Sequence, residues 1–169
     1  MTTLTKAAVT TILPVKDMGR ARRFYADQLG LEPKGFAADG NFLFVADTVN
    51  DRIRRIDLIA GKVETFSGNG NVGSEGGPAH VATFVQPIAL AFDADGILYV
   101  SDVGLHSVRR IDTNGSVSEF AGGGSSKFRD GTGVTARFDS PRGLAIDIPG
   151  RVLYVADTEN FRIRRVALN

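Results

Sequence analysis

The stretch GILYVSD at residues 96–102 decides the fold, because the chain contains two close versions of it. These are GNFLFVAD at residues 40–47 and GRVLYVAD at residues 150–157. Their final aspartates, Asp47, Asp102 and Asp157, are evenly spaced, since the step from the first to the second equals the step from the second to the third. A repeat of about 40 to 50 residues that is built from strands is typical of a propeller or a related array.

Three further segments recur with nearly the same spacing and complete the unit. A basic segment follows each aspartate, as RIRRI at 52–56, SVRRI at 107–111 and RIRRV at 162–166. A proline-led segment precedes the second and third copies of the recurring stretch, as PIALAFD at 87–93 and PRGLAID at 141–147. A last segment reads KVETF at 62–66 and SVSEF at 116–120. Four short apolar runs, each bounded by Gly, Pro, Asn or Asp, predict four antiparallel strands, which make one propeller blade.

These segments resemble the longer variety of the NHL repeat family. The resemblance lies in the proline-led first strand, the Gly-x-Leu-Tyr-Val-Ala-Asp strand, the Asn-x-Arg-Ile-Arg-Arg strand and a fourth strand that ends in Phe-x-Gly. It covers residues 36–169. It implies a β-propeller, whose blades usually bind proteins, peptides or RNA and less often catalyse a reaction.

The strand count predicts a mainly β fold with about 2.5 four-stranded blades. A partial blade spans residues 36–67, a complete blade 87–121 and a partial blade 141–169. A propeller ring typically needs about four to eight blades, and an open array exposes strand edges that invite pairing. We therefore expect a homodimer or homotrimer that closes the ring. Burial of apolar blade faces would drive this assembly (Ile53, Leu98, Val100, Leu153, Val155 and Ile163).

Residues 1–35 follow a different pattern, with a strand near residues 8–15 and then a helix. Asp17 suits the N-cap of this helix, and Gly30 suits its C-terminal end. The stretches LPVKD at residues 13–17, ARRFY at 21–25 and LGL at 29–31 resemble the opening βα unit of the glyoxalase/bleomycin-resistance (vicinal oxygen chelate) family. That resemblance implies a metal ligand, often His, early in the strand, where this chain has Thr10, a poor ligand for divalent metals. It favours a chimera, joined by design or by natural recombination to the blades.

Composition excludes several classes of function. The chain has no cysteine, which excludes disulfides and cysteine-bound zinc. Its net charge of +1 argues against nucleic acid as a partner. No apolar run approaches transmembrane length, and the first residues lack the apolar core of a signal peptide. We therefore expect a cytoplasmic protein with no membrane partner.

Two motifs suggest chemistry. The stretch GNGNVG at residues 68–73 matches a dinucleotide fingerprint, but SEGGP follows it where a phosphate site needs a helix. We interpret it as a loop between blades. The repeated Asp47, Asp102 and Asp157, with Arg54, Arg109 and Arg164, would suit an acidic cation site or a catalytic site. Their recurrence in every blade favours a structural role, in which the carboxylates and guanidinium groups bind turns, carbonyls or each other.

We therefore predict no catalytic, cofactor-binding or metal-binding residue, and no cofactor. The first hypothesis is a non-catalytic chimeric propeller fragment that self-assembles into a ring. The alternatives are a natural NHL-type module that binds a peptide, a protein or RNA, and a metal-dependent enzyme of the vicinal-oxygen-chelate or NHL-lyase type. The two histidines, His80 and His106, have no repeating partner and do not favour a histidine metal site.

Overall fold

A computed structural model describes residues 42–168. The predicted strand and helix within residues 1–35, Thr10 and the first-blade remnant at 36–40 lie outside the described residues. The described chain forms eleven strands. These are β1 (Phe42–Asp47), β2 (Arg52–Asp57), β3 (Val63–Ser67), β4 (Gly77–Pro78), β5 (Pro87–Phe92), β6 (Leu98–Asp102), β7 (Ser107–Ile111), β8 (Ser116–Gly122), β9 (Pro141–Asp147), β10 (Val152–Asp157) and β11 (Arg162–Ala167).

The strands form three antiparallel sheets, which confirms the mainly β prediction. The first blade is β1-β2-β3, the second is β4-β8-β7-β6-β5, and the third is β9-β10-β11. The two-residue strand β4 was not predicted. It lies in the connection between the first two blades and pairs with the start of β8, Gly77 with Val117 and Pro78 with Ser116.

The strand register repeats from blade to blade. The central valine of the recurring stretch faces the same arginine each time, as Val45–Arg54, Val100–Arg109 and Val155–Arg164. The pairing between the basic strand and the fourth strand is interrupted by a bulge at the same place, after Ile53 in β2 and after Val108 in β7. The repeat in the sequence is therefore a repeat in backbone geometry.

The apolar core lies between the blades, because successive strand residues point to opposite faces of a sheet. One face of the second blade, with Leu98 and Val100, packs on Phe44 and Ile53 of the first blade. Its other face, with Tyr99 and Val108, packs on the third blade through residues such as Leu153. Each pair of neighbouring blades thus shares one apolar layer.

We expected the apolar blade faces to be buried by contacts between chains, but most of them are buried by contacts within one chain. Of the six residues expected to drive assembly, five are at most 1% exposed within a single chain (Ile53, Leu98, Val100, Leu153 and Val155). Their burial results from contacts between blades of the same chain. Ile163 differs, since 70% of its surface is exposed. Across residues 42–168, no helix has the length and apolar character that a membrane span requires.

Candidate binding surfaces of the blades

The repeated arginines hold the segments that connect one blade to the next. In the second blade, Arg109 donates hydrogen bonds to the carbonyls of Thr83 (3.2 Å) and Glu75 (3.1 Å). In the third blade, Arg164 donates to the carbonyls of Arg137 (3.1 Å) and Arg129 (3.0 Å), which are the equivalent positions in the next copy of the repeat. The arginines therefore fasten the two connections at matching points.

The aspartates of the second and third blades hold the same connections near their C-terminal ends. Asp102 accepts hydrogen bonds from the amide of Val85 at 3.0 and 3.1 Å. Asp157 accepts one at 2.7 Å from the amide of Asp139, which is the equivalent of Val85 in the next copy of the repeat. Asp157 also forms an ion pair with Arg164 at 2.9 Å. The middle and the C-terminal end of each connection are therefore tied to the blade that follows it.

The first blade has a related pair, in which Asp47 lies 3.3 Å from Arg54 and accepts a hydrogen bond from Asn50 at 2.7 Å. The three aspartates thus lie in three separate blades. Within the described part of the chain, no three His, Cys, Asp or Glu side chains are grouped so that they could hold a metal ion. The arrangement supports fastening of loops and offers no joint cation site.

The second-blade pair is the most deeply buried. Asp102 is completely buried and Arg109 is 1% exposed. Burial raises the pKa of Asp102 to about 7, although hydrogen bonds from the amides of Val85 and Leu105 and the charge of Arg109 act in the opposite direction. Burial likewise lowers the pKa of Arg109, opposed mainly by the charge of Asp102. The pair fits a structural role, since its groups face the connection and the core.

A second set of equivalent residues lies in the turn before each basic strand. Asp51, His106 and Phe161 have φ values of 51°, 52° and 54°, in the left-handed region. Asp51 accepts a hydrogen bond from the amide of Gln86 at 2.7 Å, and His106 Nδ1 accepts one from the amide of Ser140 at 3.1 Å. Phe161 replaces these acceptors with an apolar ring. Aligning the copies of the repeat places these three residues at the same position, but it does not reveal their contacts.

We use the term loop face for one end of the blade stack. It comprises the turns at 48–51, 103–106 and 158–161 and the two ends of each connection, 68–73 with 83–86 and 123–127 with 137–140, which lie at one end of the strands because the strands are antiparallel. The middle of the first connection, Gly77–Pro78, lies at the start of β8, towards the other end. The glycine-rich stretch at 68–73 belongs to it, and β4 follows that stretch, with no helix between them. The predicted loop between blades is therefore what the structure contains.

The loop face carries apolar side chains that project into solvent. Val49 is 91% exposed, Phe161 90% and Val72 70%. Val49 and Val72 also line one cleft of about 200 Å³, together with Val85 and Gln86. Sequence reasoning missed this surface. The available signal was Phe161, an aromatic residue at a position where the other copies have Asp51 and His106.

The third blade has a second apolar surface, which we call its forward face (Tyr154, Ala156 and Ile163). In the first two blades the residues equivalent to Ile163, namely Ile53 and Val108, are completely buried by the following blade. Ile163 is 70% exposed and Tyr154 is 38% exposed. Among the described residues, no following blade covers this face.

Comparison with known proteins accounts for the repeat. Residues 138–166 match the family model of the NHL repeat. That segment, which includes β10 and β11, is therefore similar to an NHL repeat. NHL repeat-containing protein 2 of Homo sapiens is 30% identical over 175 residues, a match that covers 89% of this chain and 24% of the relative. A solved structure of a protein of unknown function from Bacteroides thetaiotaomicron superposes with a TM-score of 0.69 at 27% identity, over 75% of this chain and 32% of that one.

These matches show a propeller-like fold, and they also bear on the predicted chimera. NHL repeat-containing protein 2 of Gallus gallus is 28% identical over a match that covers 99% of this chain and 26% of the relative. A natural protein thus aligns across residues 1–35 as well, so the comparisons do not support the prediction of a foreign or designed first segment. This chain spans about a quarter of the length of these relatives.

Proposed function

We propose that this chain is a non-catalytic binding module of NHL-type propeller blades, which binds a protein or peptide through its loop face. The observation that carries the proposal is the projection of Val49, Val72 and Phe161 from that face, with 70% or more of each side chain exposed. Apolar and aromatic side chains that project from a rigid scaffold are typical of protein interaction surfaces. The NHL-repeat relatives support a module of this kind.

The use of the cationic side chains favours a protein partner over nucleic acid. Phosphate binding needs several Lys or Arg side chains that are free to reach one backbone. Here Arg52 donates to the carbonyl of Asn69 at 2.9 Å, Arg55 pairs with Glu64, and Arg151 pairs with Asp95 at 3.1 Å. Arg109 is buried. Much of the basic charge is therefore committed to contacts within the chain.

The experiment compares exposed apolar residues on the two ends of the blades. The variants Phe161→Ser and Val49→Ser change the loop face, whereas Ile59→Ser changes a turn at the opposite end, where Ile59 is 74% exposed. A photo-crosslinking amino acid at position 161 or 59 captures partners, which are then identified and titrated. We expect capture at position 161 and a binding affinity that falls about tenfold in Phe161→Ser and is unchanged in Ile59→Ser. Equal capture at both positions, or equal affinity of all three variants, contradicts the proposal.

A second candidate function is self-association, which the forward face of the third blade favours. The internal contacts provide its model, because the equivalent faces of the first two blades are buried against the next blade. A second copy that presents its first blade would cover Tyr154 and Ile163 in the same way. This head-to-tail arrangement would close into a ring of two or three chains.

Sedimentation velocity over a range of concentrations tests this candidate. We expect reversible association of the unmodified chain, and its loss in Ile163→Lys, since a lysine at this position would be buried in the contact. The matched control is Ile59→Lys, which changes a similarly exposed isoleucine in a turn. A chain that stays monomeric at all concentrations, or association that Ile163→Lys leaves unchanged, argues against self-association through this face.

A further inference from the structure

The turns of the first two blades each present an acceptor that holds the residue before a proline. Asp51 accepts a hydrogen bond from the amide of Gln86, and His106 Nδ1 accepts one at 3.1 Å from the amide of Ser140. The two acceptors differ in chemistry, because an imidazole ordinarily changes its charge between about pH 5 and 8 and a carboxylate ordinarily does not. The second of the two junctions therefore has an acceptor that a proton can remove.

Ser140 is held in a strained conformation. Its φ is 52°, in the left-handed region, and Pro141 follows it in the chain. A residue with a β-carbon rarely adopts this conformation, and a following proline favours an extended backbone instead. The hydrogen bond to His106 therefore holds Ser140 against its own preference, and loss of that bond favours the extended conformation.

Asp139 places a second partner beside the same ring nitrogen. Its Oδ1 lies 3.5 Å from His106 Nδ1 and accepts a hydrogen bond from the hydroxyl of Ser140 at 3.2 Å. Because Nδ1 accepts a hydrogen bond from an amide, the neutral ring carries its hydrogen on Nε2. In the protonated ring both nitrogens are donors, so that Nδ1 can bind the carboxylate and can no longer bind the amide. One proton therefore exchanges the partner of Nδ1.

The charged groups around His106 and Asp139 come from every element that packs against them. Asp139 supplies the carboxylate in contact with the ring, so the protonated ring has a counterion beside it. The others near the pair are Asp102, which binds the amide of Leu105, Asp157, which binds the amide of Asp139 and pairs with Arg164, Glu159, whose amide donates to the carbonyl of Asp139, Glu119, beside Gly123, whose amide donates to the carbonyl of His106, and the cations Lys127, Arg137 and Arg142 of the adjoining segments.

The pair is connected to the turn that carries Phe161. The carbonyl of Asp139 accepts a hydrogen bond from the amide of Glu159 at 3.1 Å, and Glu159 belongs to the turn at 158–161. Phe161 ends this turn and is 90% exposed on the loop face. A movement of Asp139 towards His106 therefore acts directly on the turn that presents this ring.

We propose that His106 is a proton-dependent clamp that regulates the loop face. The neutral ring holds Ser140 in the left-handed conformation, and the loop face is then competent to bind. A proton from solvent moves the hydrogen bond of Nδ1 from the Ser140 amide to the Asp139 carboxylate, Ser140 relaxes towards the extended conformation, and the affinity for the protein or peptide partner falls. The inference rests on the proposed function for its partner, whereas the movement of the hydrogen bond is measured on the protein alone.

Nuclear magnetic resonance of the intact protein, with labelled histidine, tests the movement between about pH 8 and 5. We expect the neutral ring of His106 to carry its hydrogen on Nε2. The amide shift of Ser140, and the coupling between its amide and α protons that reports φ, should titrate together with this ring. The exposed His80 is the internal reference, and its titration should leave Ser140 unchanged. A neutral ring protonated on Nδ1, or a Ser140 that does not follow the ring of His106, overturns the proposal.

The variant His106→Asn tests the regulation, because its amide oxygen can accept the same hydrogen bond, tolerates positive φ and does not titrate. Burial raises the pKa of Asp102 to about 7, so Asp102 titrates in the same interval in both proteins, and a difference between them belongs to His106. The affinity of the unmodified protein for the partner captured at position 161 should fall about fivefold between about pH 7.5 and 5.5. His106→Asn should lose this fall.

His80→Asn is the matched control, since it removes the other histidine of the chain and should keep the pH dependence of the unmodified protein. Equal pH dependence of binding in His106→Asn and in the unmodified protein overturns the regulation. A Ser140 that follows the ring of His106, together with no partner captured at position 161, supports the clamp and overturns the proposed function. The two proposals therefore fail separately.

Discussion

Asp102 is a single buried carboxyl whose titration should be visible in the stability of the whole protein. Burial raises its pKa from the ordinary value of 3.8 to about 7 in the folded state. A pKa that is higher in the folded state means that folding favours the protonated form. The contribution of Asp102 to the free energy of unfolding is therefore largest below about pH 4, falls as the pH rises towards 7, and is constant above that.

We expect this contribution to change by on the order of 4 kcal/mol between pH 4 and 7. The measurement is chemical denaturation at several pH values, for the unmodified protein and for Asp102→Asn, whose amide does not titrate. The variant should show a flatter pH profile over this interval. The control is Asp95→Asn, which removes an exposed carboxyl and should leave the slope unchanged. Parallel profiles for Asp102→Asn and the unmodified protein would refute the assignment.

Gly122 and Gly96 allow the cost of a β-carbon to be compared at two positions with the same backbone conformation, because both adopt positive φ, 83° and 80°. A β-carbon at Gly96 would have Thr113 Cγ2 as its nearest neighbour, at 3.5 Å, which is an ordinary contact. At Gly122 it would lie 2.7 Å from the carbonyl oxygen of His106 and closer still to the ring of Phe138. Alanine at either site incurs the left-handed backbone penalty, but only Gly122→Ala adds a clash with a fixed backbone atom.

We expect Gly96→Ala to lower the free energy of unfolding by about 1 kcal/mol and Gly122→Ala to lower it by about 3 kcal/mol. Thermal and urea denaturation of the two variants measure the difference. Equal losses would mean that the blade junction moves freely enough to accept the β-carbon. This case also shows why the last strand of the first two blades leads into Phe-x-Gly, at residues 66–68 and 120–122: the glycine lies where the chain turns towards the next blade.

At the scale of the blade, Phe138 packs between the second and third blades. It lies in the apolar layer that they share and is 1% exposed. Phe138→Ala should lower the free energy of unfolding by about 3 to 5 kcal/mol, since it leaves a cavity in that layer. Phe161→Ala is the matched control, with the same side chain removed at 90% exposure, and should change stability by less than about 0.5 kcal/mol. Equal effects in equilibrium denaturation would contradict the assignment of Phe138 to a shared core.

The repeat in the sequence predicted the strands well, because each strand is a short apolar run bounded by turn residues. The same run recurs at a regular spacing, so each copy supports the assignment of the others as strands. It did not predict β4, since Gly77–Pro78 has no strand propensity and pairs only because β8 lies beside it. It predicted that the arginines bind carbonyls, as Arg109 does, but not which carbonyls, and it did not predict that Asp102 binds the amide of Val85. Those partners are backbone groups of a connection that is distant in the sequence, and a pattern of side chains carries no information about them.

At the scale of the molecule, the blades form a row in which each blade contacts only its neighbours, so stability depends on how many faces of a blade are covered. The second blade is covered on both faces, by the first and the third. The third blade is covered on one face among the described residues, and its forward face and the edge of β11 are open. The candidate surface for self-association therefore lies where, among residues 42–168, the row of blades has no further neighbour.

This arrangement predicts a gradient of hydrogen exchange along the chain. Every residue of β6 is buried, and four of the five residues of β7 are buried, whereas no residue of β11 is. The amides of β6 and β7 should exchange only through global unfolding, and those of β11 should exchange through local opening at a lower free energy. Mass spectrometry with pulsed deuterium labelling measures both in one experiment, at a protein concentration low enough to exclude association. Exchange in β11 as slow as in β7 would show that the open edge is stabilised by something other than a neighbouring blade.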